Sequence, residues 1–405
     1  MKRRKTGVWL IGALGSISTT VIIGALALRR GLTEPVGMIT AGSLFDGIPL
    51  VALDDLEFGG CDIRPGSLKD TAAHLIRETG VIRGDLLPEI QHGLEEIEPH
   101  ISRGTASNCG EAIEQLADHP ACRCLPAREE IDLIRSQILA FKAARSLDEV
   151  VVVNLASTEP SLDATPIHED LAALEACIGG NGSGAVRAST LYAYAAIREG
   201  CPFINFTPSQ GALLPALVQL AGELGVPVMG SDGKTGETLV KSALAPMFSY
   251  RNLEVLSWEG FNILGNLDGR ILENPSNKAA KIQTKDQVLS KILGYSPHSR
   301  VHIDYVPSLD DQKTAWDFIH FRGFLGARMS LQFIWQGFDS ILAAPLVLDL
   351  ARLAELAKRR GESGLMPHLA SYFKAPLGVE AFGLHEQYGM LADYTARVRA
   401  GLEPA

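Results

Sequence analysis

The sequence is short of cysteine, short of positive charge, and without repeats. Its six cysteines, Cys61, Cys109, Cys122, Cys124, Cys177 and Cys201, include no C-x-x-C pair. Neither a disulfide framework nor a zinc knuckle is supported, and a reducing compartment, the cytoplasm, is expected. Cys122 and Cys124, separated by one residue, read as incidental loop residues. Lys and Arg number 37 against 47 Asp and Glu, a formal net charge of -10. That balance argues against a general affinity for nucleic acid or for an anionic membrane surface. Small molecules and further copies of the chain remain as partners. No short-period repeat and no low-complexity segment occurs. The 405 residues, 46% hydrophobic and 21% charged, are ordinary globular composition with room for two domains.

Charge is also missing from Gly7 to Leu28, a run flanked by the basic clusters "KRRK" and "RR". A signal anchor looks like this. Two observations argue against that reading: Ser16, Ser18, Thr19 and Thr20 sit together in mid-run, and no small-x-small cleavage site follows before the arginines. Divided at its glycines, the run becomes a strand "GVWLI", a turn "GALGSIS" and a helix "STTVIIGALALRR". That is the first unit of a Rossmann fold, in which backbone N–H groups at a helix start approach a pyrophosphate. The usual G-x-G-x-x-G survives only as Gly12, Gly15 and then Ser18, with Leu14 where a second glycine is expected.

A second strand, "LVALDDLEFGGCDIR", carries Asp62, an acidic residue of the kind that binds adenosine ribose hydroxyls. It stands farther from Gly12 than the usual spacing of about 20 residues, so an insertion is expected between them. A capping role for Asp62, at the start of the amphipathic helix that follows, competes with the ribose role. Residues 67–147 read as mainly helical, with "SNCGEAIEQLADHPACRCLPAREE" a surface excursion. "VVVVNLASTEP" then opens with four valines, the pattern of a parallel strand covered on both faces. The cycles that follow, "ASTLYAYAAIREGCPFINFTPS" and "PALVQLAGELGVPVMGSDGKTGETLVKSAL", alternate helix and strand. Such alternation specifies a doubly wound parallel sheet.

Near residue 235 the segments become longer, more aromatic and alternating, as expected of a sheet with one side on helices or on a partner subunit. A long helical signal, "SILAAPLVLDLARLAELAKRRGE", then returns the chain to α structure. The expected fold is α/β: a Rossmann domain over 1–234 and 340–405, interrupted over 235–339 by an inserted α+β catalytic and tetramerisation domain.

"GSDGKTGETLVK" is a Gly-rich turn with Asp232 and Lys234, followed by Thr235, Gly236, Glu237 and Thr238 at a helix start. Free N–H groups and two hydroxyls make an anion cradle. The glycine spacing is not that of a P-loop, so a monophosphate is expected, with an ordinary N-terminal capping box as the competing account. Lys281 and Lys285 lie four apart, on one face of a predicted helix. Paired ammonium groups depress each other's pKa, which suits proton transfer or carbonyl polarisation near neutral pH; a solvated basic face is the bland alternative. His298 and His302, also four apart, enter a strand pattern and are not expected to converge on a metal.

The segments "GCPFINFTPS", "GSDGKTGETLVKSALAPMF", "GFNILGNLDG", "KAAKIQTK", "PSLDDQKTAWDF" and "SILAAPLVLDLARLAELA" resemble the myo-inositol-1-phosphate synthase family, most of all its shorter prokaryotic members. The match runs in order from Gly7 to about Lys374 and is dense after residue 186. The resemblance implies a redox-neutral, NAD-dependent cyclisation of D-glucose 6-phosphate to an inositol monophosphate. Its steps are oxidation at C5, enolisation at C6, aldol closure of C6 on C1, and reduction.

By the same resemblance, Lys281, Lys285, Lys313 in "DDQK" and Lys374 in "SYFK" polarise carbonyl oxygens and move protons. Asp232 and Lys234 match the family's catalytic residues after the short strand, with Asp232 also at the cofactor; Asp268 with Asn262 matches the loop lining the nicotinamide end, and Thr235, Gly236, Glu237 and Thr238 hold the phosphate. Gly12, Gly15, Ser16, Ile17 and Ser18 fall at the pyrophosphate, Asp62 at the ribose, and Ala156, Ser157 and Thr158 beside the cofactor. Departures from the family pattern are "GALGSIS" for the fuller glycine turn, Ser157 for the usual Asn, and Glu237 for an amide found in many relatives. A carboxylate beside a phosphate is repulsive unless a cation lies between them, so a divalent or monovalent metal ion is expected there. A homotetramer built on the inserted sheet is implied as well. The competing functions are an NAD-linked sugar-phosphate dehydrogenase, which would release NADH, and a membrane-anchored, non-catalytic binding protein.

Overall fold

The computed structural model describes residues 4–80, 82–119, 125–180, 183–274 and 288–401. The opening run is strand β1 (Thr6–Ile11), a turn, and helix α1 (Ser16–Arg29). Among the described residues no helix is long and apolar enough to cross a membrane.

Further strands are β2 (Leu56–Asp62), β3 (Ile101–Arg103), β4 (Glu149–Asn154), β5 (Phe203–Asn205), β6 (Pro227–Gly230) and, far along the chain, β11 (Gly364–Leu365). With β1 they make a seven-stranded parallel sheet in the order β11-β6-β5-β4-β1-β2-β3. Six of these positions are those of a dinucleotide-binding Rossmann sheet; the C-terminal segment adds the seventh. Both faces are covered, and alternation along each strand divides the side chains between two cores. Val8, Leu10, Val151 and Val153 enter one, while Trp9, Ile11, Val150 and Val152 enter the other. A run of four valines is what such double coverage requires.

The expected insertion before Asp62 consists of three short 3-10 turns, Ile39–Ala41, Ser43–Phe45 and Leu53–Asp55. Asp349, on the long helix Asp339–Arg359, ties the first of these down by accepting from the Ile39 N–H at 2.6 Å. Helix α2 (Leu68–Thr79) is capped by Ser67, whose hydroxyl accepts from the Asp70 N–H at 3.0 Å. Asp62 therefore does not cap it. Among the described residues of 67–147, β3 is the strand that the helical reading passes over: three residues, none of them buried, carry too little periodic signal.

The second sheet contains β7 (Glu254–Leu264), β8 (His298–Tyr305), β9 (Gln312–Arg322) and β10 (Arg328–Phe338), in the order β10-β9-β7-β8. β7 runs parallel to β8 and antiparallel to β9, and β10 is antiparallel to β9. Helix α3 (Gly236–Tyr250) joins β6 to this sheet, the short helix α4 (Leu267–Ile271) follows β7, α5 (Asp339–Arg359) returns to the first sheet, and α6 (Leu384–Arg399) closes the fold. One face of β7 and β9 packs on α3 through Phe248, Val255, Trp258 and Ile319. The other leaves Phe261, Trp316 and Ile334 exposed.

Candidate active site

A cavity of about 450 Å³ runs along the carboxyl ends of the parallel strands and on to the edge of the second sheet. This is the crevice in which open α/β sheets bind ligands. Arg64, Thr71 and His74 line one end; Gly12, Gly15, Ser16 and Ile17 with Ala156, Ser157 and Thr158 line the middle; Asp232, Thr235, Asp268 and Lys374 line the other.

The middle is shaped by the turn after β1. Gly12 has φ +81°, and a Cβ there would lie 3.2 Å from the Ala156 backbone. Ser18, behind the wall, fixes the turn by donating its hydroxyl to the Gly12 carbonyl at 2.7 Å. Asp62, at the end of β2, accepts from the Leu14 N–H at 2.8 Å and from the Arg64 N–H at 2.9 Å. A backbone turn held open by glycine, at a helix start, with an acid at the end of the next strand, fits an NAD molecule as these residues stand.

At the far end, Lys374 Nζ lies 2.8 Å from Asp232 Oδ1, with both side chains almost wholly buried. Lys234 points away from the cavity, and its ammonium donates to the Gln387 side-chain carbonyl on α6. Burial lowers Lys234 from the ordinary lysine value to about 7. Lys313, at the start of β9, lies behind the cavity wall, 3.0 Å from Asp339 Oδ2. Lys281 and Lys285 lie outside the described residues.

The start of α3 is not closed by a capping box. Thr235 makes no side-chain cap to the helix; its hydroxyl donates to Asp339 Oδ1 at 3.4 Å. Thr238 is buried, and among the described residues its hydroxyl has no hydrogen-bond partner. The first-turn N–H groups lack intrahelical partners by construction, so this end has donors to offer an anion.

Glu237 and Asn262, like Gly236 and Thr238, do not line the cavity. Asn262 Nδ2 donates to Glu237 Oε2 at 2.7 Å, and Lys241 Nζ approaches Glu237 Oε1 at 2.6 Å. The positive partner for Glu237 is thus a lysine of the chain, and the argument from this carboxylate to a metal ion no longer holds. Among the described residues no three His, Cys, Asp or Glu side chains are grouped as metal ligands. His298 and His302 do meet, through Glu259 on the neighbouring strand, at 2.9 and 3.6 Å from its two oxygens, on the exposed sheet face away from the cavity.

Three cavity residues escaped the sequence reading. Asn266 caps α4, accepting from the Gly269 N–H at 3.0 Å. Asp311 is raised by burial and accepts from the Ser340 hydroxyl at 2.5 Å. Asp339 faces both Thr235 and Lys313. Asn266 and Asp311 stand within "GNLDG" and "DDQK", where only Asp268 and Lys313 were singled out; an Asn directly before a short helix is a recognisable cap.

This combination of a Rossmann sheet, a dinucleotide-sized crevice and a buried lysine–aspartate pair at its far end defines a nucleotide-dependent enzyme. The chain belongs to the myo-inositol-1-phosphate synthase family, whose model matches residues 6–395. It is 34% identical to inositol-3-phosphate synthase 1 of Bacteroides thetaiotaomicron, over 92% of this chain and 90% of that one. Inositol-3-phosphate synthase from Caenorhabditis elegans superposes with a TM-score of 0.86 at 26% identity, covering 100% of this chain and 87% of the other. A myo-inositol-1-phosphate synthase-related protein from Thermotoga maritima does so with a TM-score of 0.78, also at 26% identity, over 99% and 100% of the two chains.

Proposed function

We infer that this chain is an isomerase of the inositol-3-phosphate synthase type, which cyclises D-glucose 6-phosphate to an inositol monophosphate with NAD and no net redox change. The observation that carries this reading is the Lys374–Asp232 pair, 2.8 Å apart on the wall of a dinucleotide-sized crevice, in a chain matched by the family from residue 6 to 395. NAD, when bound, takes up hydrogen from C5 of the sugar and gives it back.

The chain's own residues do the rest. Gly12, Gly15, Ser16 and Ile17 present backbone N–H groups to the cofactor pyrophosphate, and Ser18 holds that turn in shape. Asp62 sits where the adenosine ribose binds, with Ala156, Ser157 and Thr158 along the cofactor's other side. The start of α3, at Thr235, Gly236, Glu237 and Thr238, holds the substrate phosphate through its N–H groups and the Thr238 hydroxyl. Enolisation at C6 and closure of C6 on C1 build up negative charge on oxygen, and buried ammonium groups stabilise it. Lys374, oriented by Asp232, and Lys313, oriented by Asp339, supply such charge, with Lys281 and Lys285 as further donors. Lys234, lowered to about 7 by burial, has its ammonium on Gln387 and away from the cavity, so it supports the turn that carries Asp232 and does not itself reach the sugar. Asp268 flanks the nicotinamide end, and Asn262 buttresses Glu237.

The assembled form is a homotetramer in which the open face of the second sheet is covered. Support comes from that face: Phe261 stacks on Trp316 with ring centroids 5.2 Å apart, and Ile334 is 67% exposed. Apolar side chains so grouped on one sheet face mark an interaction surface. Among the described residues Cys61, Cys109 and Cys201 are free thiols, which supports a reducing, cytoplasmic location.

The test is to incubate the protein with carbon-13-labelled glucose 6-phosphate and catalytic NAD+, following the sugar by NMR and NADH by absorbance. A cyclitol phosphate forming without accumulating NADH is the expected result. NADH rising in step with an oxidised sugar would establish a dehydrogenase instead.

A further inference from the structure

We propose that Arg64 makes the adenosine-ribose end of the crevice a receptor for a 2′-phosphate, so that the chain takes NADP as well as NAD. The proposal rests on the reading that the end of β2 holds that ribose.

In a Rossmann fold an acid at the end of the second strand selects NAD by accepting from the ribose hydroxyls, whereas an arginine nearby accommodates the 2′-phosphate of NADP. Both residue types stand here, two positions apart, as Asp62 and Arg64. A carboxylate has about four lone-pair sites to offer. Those of Asp62 are filled from within the chain. Its Oδ1 accepts from the Arg64 N–H at 2.9 Å and from Arg64 Nε at 3.2 Å, and its Oδ2 from the Leu14 N–H at 2.8 Å and from Arg64 Nη2 at 3.4 Å. Asp62 thus shapes the turn after β1 and holds Arg64, with little capacity left for a ribose hydroxyl.

Arg64 is the group with capacity to spare. Only Nε and Nη2 of its guanidinium are engaged among the described residues, its side chain is 28% exposed, and it lines the cavity. A planar guanidinium with N–H groups still to donate suits phosphate oxygens. The same contacts neutralise Asp62, so the carboxylate does not repel an anion. On the neighbouring strand the register partner of Asp62 is a second arginine, the exposed Arg103. The acids at the start of α2 are turned to that helix: Glu98 accepts from the Leu68 N–H at 2.7 Å and Asp70 from the Ser67 hydroxyl at 2.8 Å.

The experiment loads the full-length protein with NADH and follows its fluorescence as NAD+ or NADP+ displaces it, for the parent, Arg64→Ala and Asp62→Asn. In the parent, the dissociation constant of NADP+ is expected to lie within about a hundredfold of that of NAD+, and a weaker NADP+ would overturn the proposal. Arg64→Ala removes a charge-assisted contact to the phosphate and frees Asp62 for the ribose hydroxyls, so the ratio of the NADP+ constant to the NAD+ constant should rise by about tenfold or more. A purely structural lesion moves both constants together; an unchanged ratio therefore also sinks the proposal. Asp62→Asn separates this inference from the reading beneath it. Rejection of NADP+ by a parent whose NAD+ constant responds to Asp62→Asn leaves the ribose at β2 and removes only the role of Arg64. No response of either nucleotide to either substitution places the ribose elsewhere and removes both.

Discussion

Lys374 and Asp232 are 142 residues apart in the chain, yet Nζ of one lies 2.8 Å from Oδ1 of the other. Their backbones bring them together. The Lys374 N–H donates to the Asp232 carbonyl at 2.7 Å, the Lys234 N–H to the Tyr372 carbonyl at 2.8 Å, and Gly233 bridges Phe373 in antiparallel fashion. The turn after β6 and the segment after the 3-10 helix Pro367–Tyr372 thus form one two-stranded platform at the far end of the crevice.

That platform makes Lys374 the most sharply placed of the proposed catalytic lysines. Lys374→Ala is expected to lower kcat by about a thousandfold, within the usual range for removing a charged group that stabilises the transition state. Its backbone bonds remain, so the circular dichroism spectrum should not change. Steady-state kinetics with near-parent turnover would remove Lys374 from the mechanism.

Lys313 is held by Asp339 rather than by the cavity itself, and Lys281 and Lys285 lie outside the described residues. Each is nevertheless proposed to carry charge to the ring-closing steps. Lys313→Ala, Lys281→Ala and Lys285→Ala should each nearly abolish cyclitol phosphate formation in the labelled-sugar assay while folding is retained. A variant that turns over like the parent is not a catalytic lysine.

Lys234 provides a pH test. Burial lowers it from 10.5 to about 7 in the folded chain. Between those two values the unfolded chain holds a proton that the folded chain has released, so this group makes stability rise with pH across that window. Lys234→Met should flatten the rise. Urea unfolding of the parent and the variant between about pH 7 and pH 10 measures it, and parallel curves would show that Lys234 keeps its proton when folded.

Gly12 combines a positive φ with a close approach to Ala156. A side chain there must shift the turn that Leu14 and Asp62 hold. Gly12→Ala is expected to weaken NAD binding by at least about tenfold, since the tight turn that brings the backbone to the pyrophosphate is lost. Titration calorimetry with NAD+ reads this directly, and unaltered affinity would place the pyrophosphate elsewhere.

The exposed face of the second sheet predicts assembly. Ile334→Glu on β10 places a charge among Phe261, Trp316 and their neighbours and should shift the mass in light scattering from tetramer towards smaller species, with secondary structure intact. A parent protein that runs as a monomer would refute the tetramer outright.

Periodicity was enough for the architecture. Alternating β and α units, the four valines between two cores, and the change of texture near residue 235 all follow from side chains that must be buried at spacings of two or about 3.6 residues. Those are local properties, and the opening run resolves into β1 and α1 for the same reason. The assignment of lysines came from resemblance rather than from spacing, since a lysine looks the same in sequence whether it meets water or an aspartate.

Long-range geometry decided the remainder. No local pattern says that Asp232 faces Lys374, that Lys234 turns to Gln387 on the last helix, or that Asn266 rather than Asn262 reaches the cavity. Glu237 is the clearest case. In sequence it is a carboxylate beside a phosphate cradle and calls for a cation; in the fold Lys241 is that cation, because β7 and β9 close over α3 and leave the pair no water to turn to.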